Sequence, residues 1–328
     1  MKMTTIPSDR YQQDEVLSAV LWADSVLLFC HVSPDGDTLG SALALQIRLS
    51  RMGKSAWVML DGAVPSNLSF LPGADSVLKP GDPVPACALA LCVDVSSRDR
   101  LGGCEPVFAS FEHTALVDHH GTNEGFAAFN CIDEAAPATA LVVFRLFQRM
   151  NLPVSRKEAV CLYTALATDT GNFIYESTNA ECFAMMSTLL EAGLPLAQYS
   201  RLLFRQKEEA FVRVLAEALP SLRVTHGGKI AGLCLSQAQM RRAGANSGHT
   251  DGVVDYAIDI KGVCLAYFAK EQEDGRVKVS LRALDPYAVD GIAARFGGGG
   301  HRLAAGLTLD VPLEQAPQVI ESALETAL

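Results

Sequence analysis

The sequence predicts an α/β protein with an N-terminal, mostly parallel sheet between flanking helices and a smaller α/β C-terminal domain. Three observations carry this expectation. The chain has 328 residues, more than one hydrophobic core usually organises. Strand-like and helix-like segments alternate through its first half, the pattern of strands joined by crossover helices. Hairpin signals replace that alternation in the second half. The expected division is a first domain at 1–194, a linker region at 195–220, where Pro195 and polar residues interrupt the pattern, and a second domain at 221–328.

Each element has its own signal. Residues 25–32 (SVLLFCHV) read as a buried strand, and 38–52 as a helix with an apolar stripe of Leu39, Leu43, Ile47 and Leu49, stopped by Gly53. Residues 55–60 are a second strand. Residues 86–95 (ACALALCVDV) are apolar on both faces, as a central parallel strand is. Residues 113–118 make a fourth strand. Helices follow at 139–150, 156–168 and 179–192, the last closed by Gly193 with Pro195 beyond it. In the second half, 229–235 reads as a strand, and 263–269 and 277–281 as a hairpin about Asp274-Gly275. A helix at 290–296 runs into the glycines of 297–300, followed by a strand at 307–311 and a helix at 313–328.

The formal net charge is −10, and the acidity lies before Ser221, where 25 Asp/Glu face 16 Lys/Arg. That balance fits a carboxylate-rich site awaiting cations. It argues against a grip on long duplex DNA, which rests on many Lys/Arg–phosphate contacts, but allows a short oligonucleotide. Nine cysteines form no Cys-x-x-Cys pair and sit mostly in apolar stretches, as reduced thiols do; a cytoplasmic location is expected. The polar N-terminus carries no secretory signature, and no apolar run reaches the length of a membrane span.

Four segments carry the chemistry, each at the end of a predicted strand or helix. The first holds His31, Asp35 and Asp37, with Gly36 permitting a tight turn between the carboxylates. Alone it fits a solvated turn or a helix N-cap as well as a ligand pair. The second is Asp94, which ends the run ALALCVD. A carboxylate there needs a partner, whether the following turn or a cation. The third is Asp118-His119-His120, and the fourth is Asp169 in ATDTGNF, where Gly171 equally reads as a helix C-cap. Taken together, His31, Asp35, Asp37, Asp94, His119 and Asp169 form a mixed nitrogen and oxygen donor set that suits Mn²⁺ or a similar ion. Six donors exceed what one catalytic metal needs, so two ions are expected. Two ions ~3.5–4 Å apart clamp the attacking and leaving oxygens of a phosphoryl transfer.

The order HxxxDxD, Asp, DHH, Asp resembles the DHH phosphoesterase superfamily. The later KVSLRA (278–283) and GGGGHRLAAG (297–306) resemble the DHHA1 subfamily signature. The whole arrangement is similar to the bifunctional oligoribonucleases, or nanoRNases, that also act as pAp phosphatases. The resemblance implies that His31, Asp35 and Asp94 hold one metal and that Asp37, Asp94, His119 and Asp169 hold the other. It implies that Asp118 orients its neighbours and that His120 meets the scissile phosphate or the leaving group. Arg282 and His301, with the backbone at Gly299 and Gly300, become the expected contacts to the substrate's terminal phosphate, and Arg100 a further one. One segment departs from relatives. Residues 136–139 read Ala-Pro-Ala-Thr where many carry a Ser-Ser-Thr type sequence, which removes two hydroxyls near the site.

The expected enzyme is a metal-dependent phosphoesterase, a 3′-5′ exoribonuclease and 3′(2′),5′-bisphosphate nucleotidase, with two divalent ions, Mn²⁺ first among them. Its expected partners are short RNA oligonucleotides or pAp, with no membrane and no long duplex DNA. A homodimer is compatible with the sequence. Two other readings stay open: a phosphodiesterase for cyclic or linear dinucleotides, and a catalytically silent nucleotide-binding module.

Overall fold

The computed structural model describes residues 9–328, which fall into two compact units divided between Gln206 and Lys207. The first unit contains helix α1 (Asp9–Trp22), strand β1 (Ser25–Phe29), helix α2 (Gly36–Arg51), strands β2 (Ser55–Met59) and β3 (Leu89–Val93), the short helix α3 (Glu105–Ala109), and strands β4 (Thr114–Asp118) and β5 (Phe129–Ile132). Helices α4 (Thr139–Arg149), α5 (Arg156–Asp169), α6 (Ala180–Glu191) and α7 (Leu196–Ser200) complete it.

Its five strands pair in the order β2-β1-β3-β4-β5, and every pairing is parallel. Such a sheet needs cover on both faces. Val26, Leu28, Leu91 and Val117 pack with Leu39, Leu43, Leu141 and Leu166 on one side, while Leu27, Phe29, Cys92 and Leu116 pack with Leu101 and Phe108 on the other. The direction of winding reverses between β1 and β3. The carboxyl ends of those strands therefore border a crevice, the place where open α/β sheets bind ligands.

Helices α2 and α5 approach unusually closely, and two glycines explain it. A Cβ on Gly36 would lie 2.3 Å from Thr168 Oγ1, and one on Gly40 would lie 2.6 Å from the Cys161 carbonyl oxygen. Gly36 therefore serves close packing as the first residue of α2, not the tight turn expected of it. The same pair is tied by charge. Arg48 of α2 is fully buried, forms an ion pair with Glu158 of α5 at 2.8 Å, and stacks over the Phe147 ring at 4.0 Å.

The second unit contains α8 (Glu209–Ala218), β6 (Arg223–Thr225), β7 (Ile230–Leu235), α9 (Gln237–Arg242), α10 (Asp255–Ile258), β8 (Leu265–Glu271), β9 (Val277–Ala283), α11 (Asp290–Arg295), β10 (Gly299–His301), β11 (Ala304–Leu309) and α12 (Ala316–Glu325). Its sheet runs β10-β11-β9-β8-β7-β6, antiparallel except between β7 and β8. Val277, Val279 and Leu281 face a core closed by Ile292, Ile320 and Leu324. On the opposite face, Phe211, Val214 and Met240 cover β7 and β8 by packing on Leu233, Ala266 and Phe268. Residues 195–220 are thus not a plain linker: they hold α7, a π turn at Arg201–Arg205, and α8. Strand β11 starts three residues earlier than the expected 307, because Ala304 pairs with both His301 and Arg282. No described helix is long and apolar enough to cross a membrane.

Candidate metal centre

The acidic and histidine side chains singled out in the first unit meet at the carboxyl ends of β1, β3 and β4. Asp35 caps α2: its Oδ1 accepts from the backbone N–H of Asp37 (3.0 Å) and Thr38 (3.1 Å). The N-cap reading and the ligand reading of this carboxylate are therefore compatible. Asp37 is completely buried and caps a second helix. It accepts from the N–H of Thr139 (2.6 Å) and Ala140 (2.9 Å) at the start of α4, and from the Ser41 hydroxyl (3.0 Å). A carboxylate is well placed at a helix N-terminus, where the free N–H groups and the dipole favour negative charge.

Asp94 follows β3 with φ +62°, a left-handed conformation that costs a non-glycine residue energy and tends to appear at functional sites. Its N–H is held by the Val117 carbonyl at 2.9 Å, and its Oδ1 accepts from the Thr139 hydroxyl at 2.8 Å. Thr139 thus bonds two of the carboxylates at once. Its place at a predicted helix start was visible in the sequence, but its partners were not. It keeps one hydroxyl at the centre in the segment that otherwise reads Ala-Pro-Ala.

The histidines are aimed by their Nδ1 atoms. His31 Nδ1 lies 2.9 Å from its neighbour's carbonyl, Val32 O, and 3.1 Å from the Arg100 guanidinium. A guanidinium only donates, so one nitrogen cannot serve both partners. The shorter contact has Nδ1–H donating to Val32 O, which leaves Nε2 directed at Asp35 and Asp94, each 3.6 Å away. His119 Nδ1 meets Ala136 O at 3.1 Å, and its Nε2 stands 3.1 Å from Asp169 and 3.6 Å from Asp94. His120 Nδ1 bonds Asp118 Oδ1 at 2.8 Å. Asp118 is buried and also accepts from Asn123, a residue for which the sequence offered no signal.

Asp169 ends α5 and arrives beside Asp37 because α5 lies against α2. Gly171 follows with φ +56°, so the helix-end reading also holds. Two triads result, His31/Asp35/Asp94 and Asp37/His119/Asp169, and Asp94 also groups with His119 and His120; within each group the donor atoms lie within 4.8 Å of one another.

The electrostatics show what such a cluster lacks. Burial pushes Asp37 well above the usual carboxylate range, and the nearby Asp94 and Asp169 push it further. Burial raises Asp94 as well. Burial pulls the His31 imidazole down, but bonds to Asp35 and Asp94 win and raise it to about 10. His119 is likewise raised to about 10, against burial, by Asp169, Asp37 and Asp94. Carboxylates held toward neutrality beside histidines held protonated mark an excess of buried negative charge. Divalent cations would relieve it, and the donors fit them: oxygen and imidazole nitrogen, with no thiolate. Cys30 and Cys92 are buried in the core, and burial pushes both thiols far up.

Arg282, His301, Gly299 and Gly300 all lie in the second unit. Register places His301, Ala304 and Arg282 in one row across β10, β11 and β9, on the same face as α8–α10 but beyond β7 and β8, which those helices cover. Gly300 has φ +147°, and a Cβ there would lie 2.6 Å from Ala304 O, so strand pairing itself requires that glycine. Gly299 opens onto free space.

Comparison with known proteins agrees with both halves. Residues 25–166 match the DHH family N-terminal domain, and 228–327 match the DHHA1 domain. The chain is 32% identical to the bifunctional oligoribonuclease and PAP phosphatase NrnA of Thermus thermophilus, over 97% of this chain and 96% of that one. It is 24% identical to the cyclic-di-AMP phosphodiesterase GdpP of Geobacillus thermodenitrificans, over 92% of this chain but 47% of that one. An exopolyphosphatase-related protein of Bacteroides fragilis superimposes with a TM-score of 0.89 at 28% identity, covering 99% and 98% of the two chains. A DHH domain carrying its acidic and histidine cluster, followed by a DHHA1 domain, places this chain in the DHH family of phosphoesterases.

Proposed function

We propose that the protein hydrolyses short oligoribonucleotides to mononucleotides and pAp to AMP, using two divalent cations, Mn²⁺ first among the candidates. The observation that carries this reading is the pair of donor triads beside a shared Asp94. It is supported by near full-length similarity to a relative named for both activities. His31, Asp35 and Asp94 would hold one ion, and Asp37, Asp94, His119 and Asp169 the other. Bound there, the pair supplies charge neutralisation of the phosphate and an acidified water.

The chain's own residues do the rest. Asp37 is locked by three hydrogen bonds, so its ligand geometry is set before any ion arrives. Asp118 bonds His120 and raises its affinity for a proton. His120, partly exposed, would donate its remaining N–H to the phosphate or to the leaving oxygen. Arg100, beside His31, would add positive charge near the reacting phosphate. Arg282 and His301, with the backbone at Gly299 and Gly300, would hold the far end of the substrate. The buried thiols fit a reducing compartment, and the cytoplasm is the proposed location.

Purified protein with Mn²⁺ should release mononucleotides stepwise from RNA of two to five nucleotides and phosphate from pAp, and chelation should stop both. Cleavage of a cyclic dinucleotide alone would move the protein to the reading that its similarity to GdpP favours. Metal binding with no turnover would leave a silent nucleotide-binding module.

A further inference from the structure

Three of the candidate ligands come from three separate segments, and the chain entering α4 touches all of them. Ala136 O accepts from Nδ1–H of His119 at 3.1 Å. The backbone N–H groups of Thr139 and Ala140 donate to Asp37 at 2.6 and 2.9 Å. The Thr139 hydroxyl donates to Asp94 Oδ1 at 2.8 Å. This stretch is itself held in place. Ala136, Ala138, Thr139 and Ala140 are all buried. The Ala136 N–H bonds Asp133 O at 3.0 Å, and the Asp133 N–H bonds Asp118 O at 3.0 Å, which references the stretch to the end of β4.

The helix accounts for only some of these contacts. Ala138 stands at the N-cap of α4 and its side chain offers no acceptor, so Asp37 satisfies the free N–H groups instead. Nothing in the helix calls for the hydroxyl of Thr139, and an alanine would serve α4 as well. That hydroxyl is completely buried, it carries one proton, and the proton goes to Asp94.

Asp94 has a need that this bond meets. Its Oδ2 lies 3.6 Å from His31 Nε2, and its Oδ1 lies 3.6 Å from His119 Nε2. One oxygen therefore faces each donor triad. The terminal torsion of an aspartate is soft, and a partial turn would take both oxygens out of line. Among the described residues, Thr139 supplies the one hydrogen bond to this carboxylate that does not come from an imidazole.

We infer that Thr139 is a positioning residue: its hydroxyl fixes the plane of the Asp94 carboxylate, so that one oxygen serves each of two ions. This assignment rests on the proposed two-ion reading and adds the residue that lets a single carboxylate be shared. With one ion present, a loosened Asp94 can turn wholly to it. With two, it must be held between them. Loss of the hydroxyl should therefore fall on the second ion.

Mn²⁺ titration of chelator-treated, full-length protein tests this, with free Mn²⁺ followed by electron paramagnetic resonance. Thr139→Val removes the hydroxyl and keeps the backbone bond to Asp37. It should bind the first ion much as the wild type does and the second ~10–100-fold more weakly, the usual loss when a group supporting a ligand is removed. Thr139→Ser keeps a hydroxyl and should restore the second ion. With both sites filled, the wild type should show the signal of a coupled Mn²⁺ pair, and Thr139→Val at the same concentrations that of isolated ions. Should Thr139→Val not fold, Thr139→Ala should behave in the same way. Two ions bound equally well by wild type and variant would overturn the assignment alone. Equal weakening of both ions, or no rescue by serine, would also overturn it and leave Thr139 a role in packing. A wild type that binds a single ion would refute the two-ion reading and this assignment with it. The titration needs no turnover, so it decides whatever the substrate proves to be.

Discussion

At the scale of the residue, the centre depends on side chains that each serve more than one neighbour. Asp94 is the extreme case, with a left-handed backbone, a bond from Thr139, and a place in two donor groups. Asp94→Asn should lower kcat/KM by more than ~100-fold, beyond the usual loss for a group that only supports a ligand. Elemental analysis should show metal content falling with it. Retention of both activity and metal would remove Asp94 as a shared ligand. Asp118 acts through His120. Asp118→Asn should lower kcat by ~10–100-fold while bound metal stays at the wild-type level. A kcat within two-fold of wild type would show that His120 needs no such partner.

At the scale of the element, packing sets the distance between candidate ligands that are far apart in sequence. Asp37 and Asp169 belong to different helices, and they meet because Gly36 and Gly40 present no side chain to α5. Gly40→Ala would press a methyl group on the Cys161 carbonyl, a backbone atom that cannot swing away. The expected cost is about 1–3 kcal/mol of stability, typical of overpacking. Thermal denaturation should show it, and the apparent affinity for Mn²⁺ should fall in the same variant. An unchanged metal titration would mean that the two helices do not set the ligand spacing. This coupling marks the limit of what the sequence could tell. The six clustered acidic and histidine residues could be singled out because they lie at or near the ends of runs with a clear period. That Asp37 caps α4 was not, since nothing near residue 37 points to residue 139. Strand β5 escaped notice because FNCI is short and only partly apolar, as an edge strand often is. Helix α8 did offer a signal in Phe211, Val214 and Ala218 at helical spacing, but the polar residues between them resembled a linker.

At the scale of the whole molecule, each unit closes its own core. Residues 205–209 between them are exposed in a row and include Arg205 and Lys207. Brief trypsin treatment should therefore cut first at this junction, giving two fragments whose masses correspond to division near residue 206. First cuts within β1–β5 instead would show that the junction is protected. The second sheet also carries a property of a different kind. Both of its borders are strands of three residues, β6 and the glycine-bearing β10. A short border of low strand propensity offers another chain little to pair with. The glycines of β10 thus help end the sheet against self-association, and a β-branched run engineered at 299–301 would be the simplest way to make this protein aggregate.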